Sequence, residues 1–493
     1  MSQRPNIIIF CTDEQRGDHL GCMGHPTLKT PNLDRLAAEG TLFRNCYSSS
    51  PLCMPARATM MTGHTNRVHG VVDNGFNLPR HIPTLPGMLS EEGYRTHAIG
   101  KLHFRNPNNQ LPEGERPIDN PEYRKAWDWP GRWKGCLLKH FPEDYYGFQT
   151  VEMAGGHVSY IYGDYVTWLE ENHPGTFEEG YKCSNDDPQP LAIDPELHYN
   201  KWIADRSIAY IEEQSKAENP FYLWCSIPDP HEPFAAVKKW SDFYDDAEIE
   251  LPPQTLALSP DSRSSTMTEA GLGTEVADPE LAKKRIKQTY GMISHVDEQV
   301  GRVLDSLEEQ GVAENTVVMY ISDHGDQLGE HGLYFKSVFP YDAHAHIPFI
   351  IKAPGGLKGK VVEDVVSMLD MVPTALDMAG VSPSSALPGE VLTPVVCDDQ
   401  EPTRKNALVE IDRKPGRNAD MPIQMRTLVT HEYKLVYYAN TGETMLFDRL
   451  NDPCEQKNLA LEPSLQSKVL ELLKQLISEL ARTEMPYSNF QDK

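Results

Sequence analysis

The chain has 493 residues, more than one hydrophobic core usually supports, so its length favours one large domain and a smaller one. A hydrophobic fraction of 39% and a charged fraction of 24% are those of a folded chain and exclude an intrinsically disordered one. The formal charge of -26 argues against nucleic acid or an anionic membrane as a partner, because both need a surplus of Lys and Arg at the contact.

The cysteines and the N-terminus indicate the compartment. Nine cysteines, an odd number without paired spacing, do not resemble the disulfide framework of a secreted protein, so reduced thiols are expected. The apolar run from Asn6 to Cys11 is too short for a signal peptide, and no stretch reaches the roughly 20 apolar residues that a membrane helix needs. The sequence therefore predicts a cytoplasmic protein without membrane contact.

Predicted strands alternate with predicted helices along the chain, a pattern typical of a mostly parallel sheet with helices on both faces. The first strand is Ile7 to Phe10, and the first helix has Thr30 as N-cap and Pro31 at its first position and ends at Gly40. Three units follow, each a helix and then a strand. Their helices are Leu85 to Glu92, about Glu196 to Gln214 and about Lys284 to Glu309, and the strands that follow them are Thr96 to Ile99, Phe221 to Cys225 and Val317 to Ile321.

Polar side chains follow four of these strands at their C-terminal ends. Because ligands of open α/β sheets bind beyond these ends, we expect the four clusters to meet at one edge of the sheet. The clusters are Asp13-Glu14-Gln15, Lys101 with His103, Asp229 with His231, and Asp323 with His324. Segments 105–190 and 232–280, rich in Pro, Gly, Asp and aromatic residues, are predicted to be surface insertions that shape a substrate pocket.

The pattern of the chain changes after about residue 400. Short strands, such as Lys434 to Tyr438 and Met445 to Phe447, precede an amphipathic helix from about Leu465 to Arg482. The sequence thus predicts a catalytic α/β domain at residues 1–400 and a small α+β domain at residues 401–493.

Cys53 opens the run Cys53-Met54-Pro55-Ala56-Arg57, just before a predicted helix from Ala56 to Thr62. Taken alone, a single cysteine is more often a small core residue than a nucleophile. Here it lies at the start of a helix, where free N–H groups favour a developing anion, and Arg57 lies one turn further on. The spacing therefore indicates a nucleophilic site.

These residues resemble the signature of the sulfatase family, a branch of the alkaline phosphatase superfamily. The signature Cys-x-Pro-x-Arg is matched by Cys53, Pro55 and Arg57, although Met54 stands where the family usually has a small residue. The similarity continues at Thr30 to Ala37, Gly100 to His103, Ser322 to Gly325, Leu446 to Asp448 and Asp452-Pro453. It covers nearly the whole chain and implies an alkaline phosphatase-like fold and a sulfuric ester hydrolase.

The resemblance also implies the cofactors. Cys53 would be oxidised to formylglycine by a formylglycine-generating enzyme, and the aldehyde would hydrate to a diol; one hydroxyl attacks sulfur, and deprotonation of the other later expels sulfate. The implied ligands of one divalent metal ion are Asp13, Glu14, Cys53, Asp323 and His324. Glu14 stands where many relatives carry Asp, so it either coordinates through its longer side chain or is displaced. Oxygen ligands favour calcium, whereas His324 leaves manganese or magnesium open.

The remaining site residues are carried over by matched position. The implied catalytic residues are Cys53, Arg57, Lys101, His103, His231 and Lys336, of which Lys101, His231 and Lys336 also bind substrate. Asn74 is predicted to line the pocket after the Cys53 helix. Without the family context, the competing interpretations are a surface pair for Lys101 and His103, a capped loop histidine for His231 and a solvated lysine for Lys336.

The predicted reaction is hydrolysis of an aryl, alkyl or sugar sulfate, a small anionic ester. One alternative is a phosphonate monoester or phosphodiester hydrolase of the same superfamily, since the discriminating contacts lie in the long insertions. The other is a noncatalytic binding protein with this fold, against which the full set of site residues argues. A homo-oligomer is possible on the sequence alone.

Overall fold

The computed structural model describes residues 4–105, 144–252, 259–272, 278–415 and 420–484. Within them, ten strands form one large sheet and four strands form a second. The strands of the large sheet are β1 (Asn6–Thr12), β2 (Thr41–Tyr47), β3 (Arg95–Gly100), β4 (Thr150–Gly155), β5 (Tyr162–Gly163), β6 (Phe221–Ile227), β7 (Thr316–Ser322), β8 (His346–Ile347), β9 (Phe349–Lys352) and β10 (Lys360–Ser367). Those of the second sheet are β11 (Asn406–Arg413), β12 (Ile423–Thr430), β13 (Tyr433–Tyr438) and β14 (Thr444–Asp448).

Helices connect these strands. The α-helices of the described residues are α1 (Pro31–Glu39), α2 (Cys53–Thr62), α3 (Asn66–His69), α4 (Leu85–Glu91), α5 (Asp164–Asn172), α6 (Thr176–Gly180), α7 (Tyr199–Gln214), α8 (Lys238–Phe243), α9 (Ser265–Glu269), α10 (Pro279–Glu309), α11 (Asp342–Ala345), α12 (Met371–Met378), α13 (Thr393–Cys397) and α14 (Gln466–Thr483). Short 3-10 helices lie at Gly21–Met23, Val158–Tyr160, Pro195–Leu197, Pro260–Ser262, Ala313–Asn315, Glu330–Gly332, Met368–Asp370 and Pro463–Leu465.

The large sheet is mostly parallel, as predicted. Its strand order is β10-β2-β9-β7-β1-β6-β3-β4-β5, with β8 paired to β2. Strands β7, β1, β6, β3 and β4 run parallel to one another, whereas β9, β8 and β5 are antiparallel to their neighbours. The two central crossovers pass through α7 and α10, which pack against each other on one face.

The sheet is buried on both faces, which explains its nearly continuous apolar strands. On β1, Ile7 and Ile9 belong to one hydrophobic cluster, which also contains residues of α2, α4 and α12. Ile8 and Phe10 point the other way, into a cluster with residues of α1, α7 and α10. Each of these side chains is fully buried, and burial of one such side chain stabilises the fold by roughly 1.5–3 kcal/mol.

Several predicted elements differ in detail from the structure. Helix α1 begins at Pro31, but the hydroxyl of Thr30 does not cap it; this hydroxyl accepts a bond from the Gly21 N–H at 2.8 Å instead. Helix α7 begins at Tyr199, because Nδ1 of His198 accepts the N–H of Asn200 and so caps the helix there.

The prediction that 105–190 is a surface insertion is wrong for part of this segment. Residues 106–143 lie outside the described residues, but β4 pairs in parallel with β3 and extends the large sheet. In the segment 232–280, the described residues form short helices, among them α8 and α9.

The four strands near the C-terminus form an antiparallel sheet covered by α14. Leu472 and Leu476 of this helix pack against Leu428 and Leu435 of the sheet. The smaller C-terminal α+β unit is therefore as expected, while its boundary at residue 400 stays a prediction. Among the described residues, no helix has the length and hydrophobicity needed to cross a membrane, and the eight cysteines found there are free.

Candidate active site

Four neighbouring parallel strands, in the order β7, β1, β6 and β3, end at the same edge of the large sheet. Thr12, the last residue of β1, lies opposite Ser322 of β7 and Ile227 of β6. Gly100, at the end of β3, lies opposite Ser226. The residues that follow these ends are the four predicted polar clusters, so the structure brings them together.

Gly100 allows β3 to approach β6 closely at this edge. Its φ of 97° lies in the left-handed region, and a Cβ here would lie 1.8 Å from the carbonyl oxygen of Ser226. The N–H of Lys101 donates to the same carbonyl at 3.1 Å. A larger residue at position 100 would therefore push Lys101 away from the site.

A candidate metal centre lies where β1, β7 and α2 meet. Its four ligand atoms lie within 4.8 Å of one another, are all buried, and come from Asp13, Cys53, Asp323 and His324. Nε2 of His324 lies 3.3 Å from the Cys53 sulfur and 3.7 Å from an oxygen of each aspartate. The other nitrogen of His324 lies 2.9 Å from the Gly325 carbonyl, so Nδ1 carries the proton and Nε2 faces the centre with its lone pair.

These residues fit a divalent cation. Oδ1 of Asp13 is buried and has no hydrogen-bond partner in the described part of the chain. Leaving such an oxygen without a partner is costly, and a bound cation would satisfy it. The two carboxylates and the imidazole supply oxygen and nitrogen ligands that suit calcium, manganese or magnesium.

Arg57 joins α2 to the strand ends. Its Nε lies 2.8 Å from Oδ2 of Asp323, and Nη2 lies 3.4 Å from Oδ2 of Asp13. Nη1 donates to the carbonyl of Lys101 at 3.1 Å and to Oγ of Ser226 at 2.9 Å. The guanidinium is fully buried and contacts both aspartates, so here it holds these candidate metal ligands in place, while its catalytic role stays a prediction.

Asn74 also acts on the start of α2. Its Oδ1 accepts the backbone N–H of Met54 at 2.9 Å. This bond satisfies one of the N–H groups that a helix leaves unpaired at its first turn, and it holds the residue after Cys53 in place. Asn74 thus lies beside the nucleophile position.

Lys101 and His103 extend from β3 toward the same centre. The ammonium of Lys101 contacts Oδ2 of Asp13, and His103 hydrogen-bonds Cys53. Burial lowers the pKa of His103 to about 4, so its ring is neutral at neutral pH. The pair therefore faces the site, as the resemblance implied, and not the protein surface.

A second group of side chains surrounds Glu14. Its Oε2 lies 2.8 Å from Nζ of Lys336 and 3.1 Å from Nε2 of His231, and the lysine also contacts this histidine nitrogen. Glu14 and His231 form a second group of possible ligands with Asp13, apart from the four-ligand centre. The carboxylate of Glu14 is not among the four ligand atoms of that centre, and its role as a metal ligand stays a prediction.

Glu232 was not identified from the sequence, although it directly follows His231. Nδ1 of His231 hydrogen-bonds the backbone carbonyl of Glu232 at 2.7 Å and lies 2.6 Å from Oε2, which is 3.9 Å from Nζ of Lys336. These contacts of Nδ1 fix the ring of His231, so that Nε2 faces Glu14 and the site. The signal in the sequence was the acidic residue between two prolines in Pro230-His231-Glu232-Pro233.

Asp229, from the same predicted cluster, has a structural role. Its carboxylate accepts hydrogen bonds from the hydroxyl of Tyr199 and, at 2.7 Å, from Nδ2 of Asn200. It lies with His198 and His295 in a third buried group of potential ligands. Both carboxylate oxygens of Asp229 already accept hydrogen bonds from the protein. We therefore assign this group a structural role and not a metal site.

The charges around position 53 favour an anion there. Burial raises the pKa of the Cys53 thiol, but the charges of Lys336 and His324 and the bond from His103 outweigh it and hold this pKa well below the usual thiol value. The same groups would stabilise negative charge that develops on a substrate at this point.

His157 is a further residue of the site that sequence patterns did not reveal. It follows β4, and its ring stacks on that of His231 with the centroids 3.6 Å apart and the planes at 23°. Recognising it from the sequence requires knowing that β4 lies beside β3.

The chain matches known families over almost its whole length. The sulfatase family model matches residues 5–381, and the model described as N-sulphoglucosamine sulphohydrolase, C-terminal, matches residues 329–483. An arylsulfatase of Clostridium perfringens (strain 13 / Type A) is 28% identical over 495 residues, which cover 99% of this chain and 96% of the relative. The uncharacterized sulfatase YidJ of Escherichia coli (strain K12) is 30% identical over 463 residues, which cover 93% and 83%.

Solved structures show the same fold. The phosphonate monoester hydrolase of Agrobacterium radiobacter superposes with a TM-score of 0.79 over 98% of this chain and 96% of that one, at 23% identity. The extent of the family match and the identity to the Escherichia coli relative decide the assignment: this chain is a member of the sulfatase family of sulfuric ester hydrolases.

Proposed function

We propose that the protein hydrolyses sulfate monoesters of an aryl, alkyl or sugar alcohol at Cys53. The supporting observation is the 3.3 Å approach of the Cys53 sulfur to Nε2 of His324 inside the four-ligand centre. Cationic side chains lie around this point and attract an anion to it. The rest of the protein, with a formal charge of -26 overall, repels anions. The arylsulfatase relative supports the same reaction.

The proposal includes two cofactors. Conversion of Cys53 to formylglycine by a formylglycine-generating enzyme would supply, after hydration, a hydroxyl nucleophile that a plain thiol or serine does not replace. Asp13, Asp323, His324 and residue 53 would hold one divalent cation, calcium in preference to manganese or magnesium, and when bound it would lower the pKa of the nucleophile and neutralise charge on the sulfuryl group.

The protein side chains bind and orient the ester. Lys101 contacts Asp13 and Lys336 contacts Glu14, and there their ammonium groups bind the sulfuryl oxygens and stabilise the charge that develops on them. His103, which lies against position 53, is placed to serve the oxygen of the departing alcohol. His231, held through Nδ1 by Glu232, binds the sulfuryl group with Lys336.

A substrate comparison tests the proposal. Purified protein is assayed on matched aryl esters of sulfate, methylphosphonate and alkyl phosphate, with mass spectrometry of the peptide containing residue 53 and metal analysis of the same sample. We expect an aldehyde at position 53, one equivalent of metal and the highest kcat/KM for the sulfate. Faster turnover of the phosphonate or the phosphodiester would make the protein a hydrolase of that class. A matured, metal-loaded protein that turns over none of them would be a binding protein.

A further inference from the structure

The burial of the site residues shows from which side a substrate enters. The side chains of Asp13, Asp323 and His324 are fully buried, whereas that of Lys336 is 13% exposed and that of Glu232 is 21% exposed. Since the inner end of the site holds the metal ligands, the alcohol part of an ester must point outward, past Lys336 and Glu232.

His157 lies on this outward path. Its ring covers one face of His231, whose Nδ1 is bound by Glu232. His157 itself is half-buried, and its Nδ1 has no hydrogen-bond partner within the described ranges. The partly exposed ring therefore borders the path, while its Nδ1 is buried.

Tyr160 continues the row of rings to the surface. Its ring centroid lies 5.7 Å from that of His157 at an interplanar angle of 63°, and the residue is 67% exposed. The turn that carries it is tightly packed, since a Cβ at Gly156 would lie 2.2 Å from the carbonyl oxygen of Tyr160. An exposed aromatic ring on a tightly packed turn, separated from His231 by the ring of His157, suits contact with a second ring.

We propose that His157 and Tyr160 form the leaving-group subsite, and that it selects esters whose alcohol carries a ring, aromatic or sugar, over short-chain alkyl esters. This inference rests on the proposed function and names the substrate class of the same site. Aryl rings and the C–H face of a sugar ring both pack on an aromatic side chain, here the exposed ring of Tyr160, while the ester group reaches His231 and Lys336.

The test compares two kinds of ester in single variants. For Tyr160→Ala, we expect KM for an aryl sulfate and a monosaccharide sulfate to rise about threefold to tenfold, the range of one lost aromatic contact, with little change in kcat. A short alkyl sulfate does not reach Tyr160, so its KM should stay unchanged and serves as the internal reference. Tyr160→Phe, which keeps the ring, should restore the low KM. His157→Ala should also raise KM for the ring-bearing esters. His157→Phe, which keeps a ring at this position, should restore the low KM.

Phe243→Ala is the matched control, because Phe243 is another exposed aromatic ring, 57% exposed, on α8. It should change neither KM. An equal rise of KM for ring-bearing and alkyl esters in Tyr160→Ala, or no rise for either, would overturn the subsite. If KM rises for only one of the two ring-bearing esters, the subsite selects that kind of ring alone, either aryl or sugar.

Failure of the proposed function is recognised separately. If the wild type turns over phosphonates but no sulfates, the same comparison is made between phenyl and methyl esters of a phosphonate. If it turns over none of them, calorimetry measures the affinity of phenyl sulfate and of methyl sulfate for the wild type and for Tyr160→Ala. A loss of affinity confined to the phenyl compound supports the subsite, and equal affinities contradict it.

Discussion

Nε of Arg57 lies 2.8 Å from Oδ2 of Asp323, so the helix that begins at Cys53 is bound directly to the end of β7. The same guanidinium donates to the carbonyl of Lys101 and to Oγ of Ser226. One side chain thus connects α2 with three strand ends. A planar group with several fixed donors suits this task, and a lysine has only one point of attachment.

Replacing Arg57 by methionine should destabilise the protein strongly. The substitution leaves the carboxylate of Asp323 buried without its cationic partner, a change that costs about 3–5 kcal/mol of the free energy of unfolding. Arg35→Met is the control, because Arg35 pairs with Asp305 at an exposed position, where a pair contributes roughly 0–1 kcal/mol. Urea unfolding measures both; similar losses for the two variants would contradict the role assigned to Arg57.

Asp323→Asn should lower the metal content and the rate together, because the substitution removes a charged ligand from the centre while keeping its size. The matched control is Asp297→Asn, a buried carboxylate outside the groups of possible ligands that accepts the Leu33 N–H at 2.8 Å. Metal content is measured on both purified variants. Full occupancy in Asp323→Asn would remove Asp323 from the ligands.

Cys53→Ala should abolish turnover without unfolding the protein, since the covalent step needs the residue at this position. Cys46→Ala, which removes another buried thiol of the large sheet, should retain turnover. Rates are compared at equal folded fractions, as determined by circular dichroism. Residual turnover in Cys53→Ala at the level of the Cys46 variant would exclude Cys53 as the nucleophile.

Acid should destabilise the protein through His69. The residue is buried, its Nδ1 accepts the N–H of Val71 at 3.1 Å, and its Nε2 contacts Oγ1 of Thr59 at 3.2 Å, so the ring must be neutral. Burial lowers its pKa from 6.5 to about 3, and therefore the unfolded chain takes up the proton first. The free energy of unfolding is unaffected above about pH 6.5 and should fall by about 2 kcal/mol between about pH 6.5 and about pH 5.

His69→Asn tests this assignment, because the asparagine oxygen can still accept the Val71 N–H but does not titrate. Urea unfolding at about pH 7.5 and about pH 5 should show a smaller loss of stability in the variant than in the wild type. The exposed His81 supplies the control His81→Asn, which should keep the wild-type loss. An undiminished loss in His69→Asn would show that other groups cause the acid sensitivity.

The sequence predicts the sheet well where local patterns are strong. Apolar runs buried on both faces, such as Ile7 to Phe10, are hard to confuse with surface strands, and Pro31 and Gly40 mark the ends of α1. Strand β4 was missed because Thr150 and Glu152 break its apolar run and its surroundings are rich in turn-forming residues. His157 was missed with it, since its contact with His231 depends on the order β6-β3-β4.

The residues of the candidate site could be named from the sequence, but several of their contacts could not. Arg57 was named for its place one turn after Cys53, but its ion pairs with the buried carboxylates of Asp13 and Asp323 were not foreseen. Nor were the contacts of Glu14 with Lys336 and His231. Such contacts depend on charges brought together from distant segments, which no local pattern contains.

All ten residues of α2 are buried, and Cys53 is only 1% exposed. In the maturation proposed above, an enzyme that oxidises this thiol would not reach it in the finished fold, so it would have to act on the chain before α2 packs against the sheet. The proposed activation would then be an event of biosynthesis, during or soon after translation. Protein produced in a host that lacks the oxidising enzyme would stay inactive, and adding that enzyme later would repair only molecules that were first unfolded.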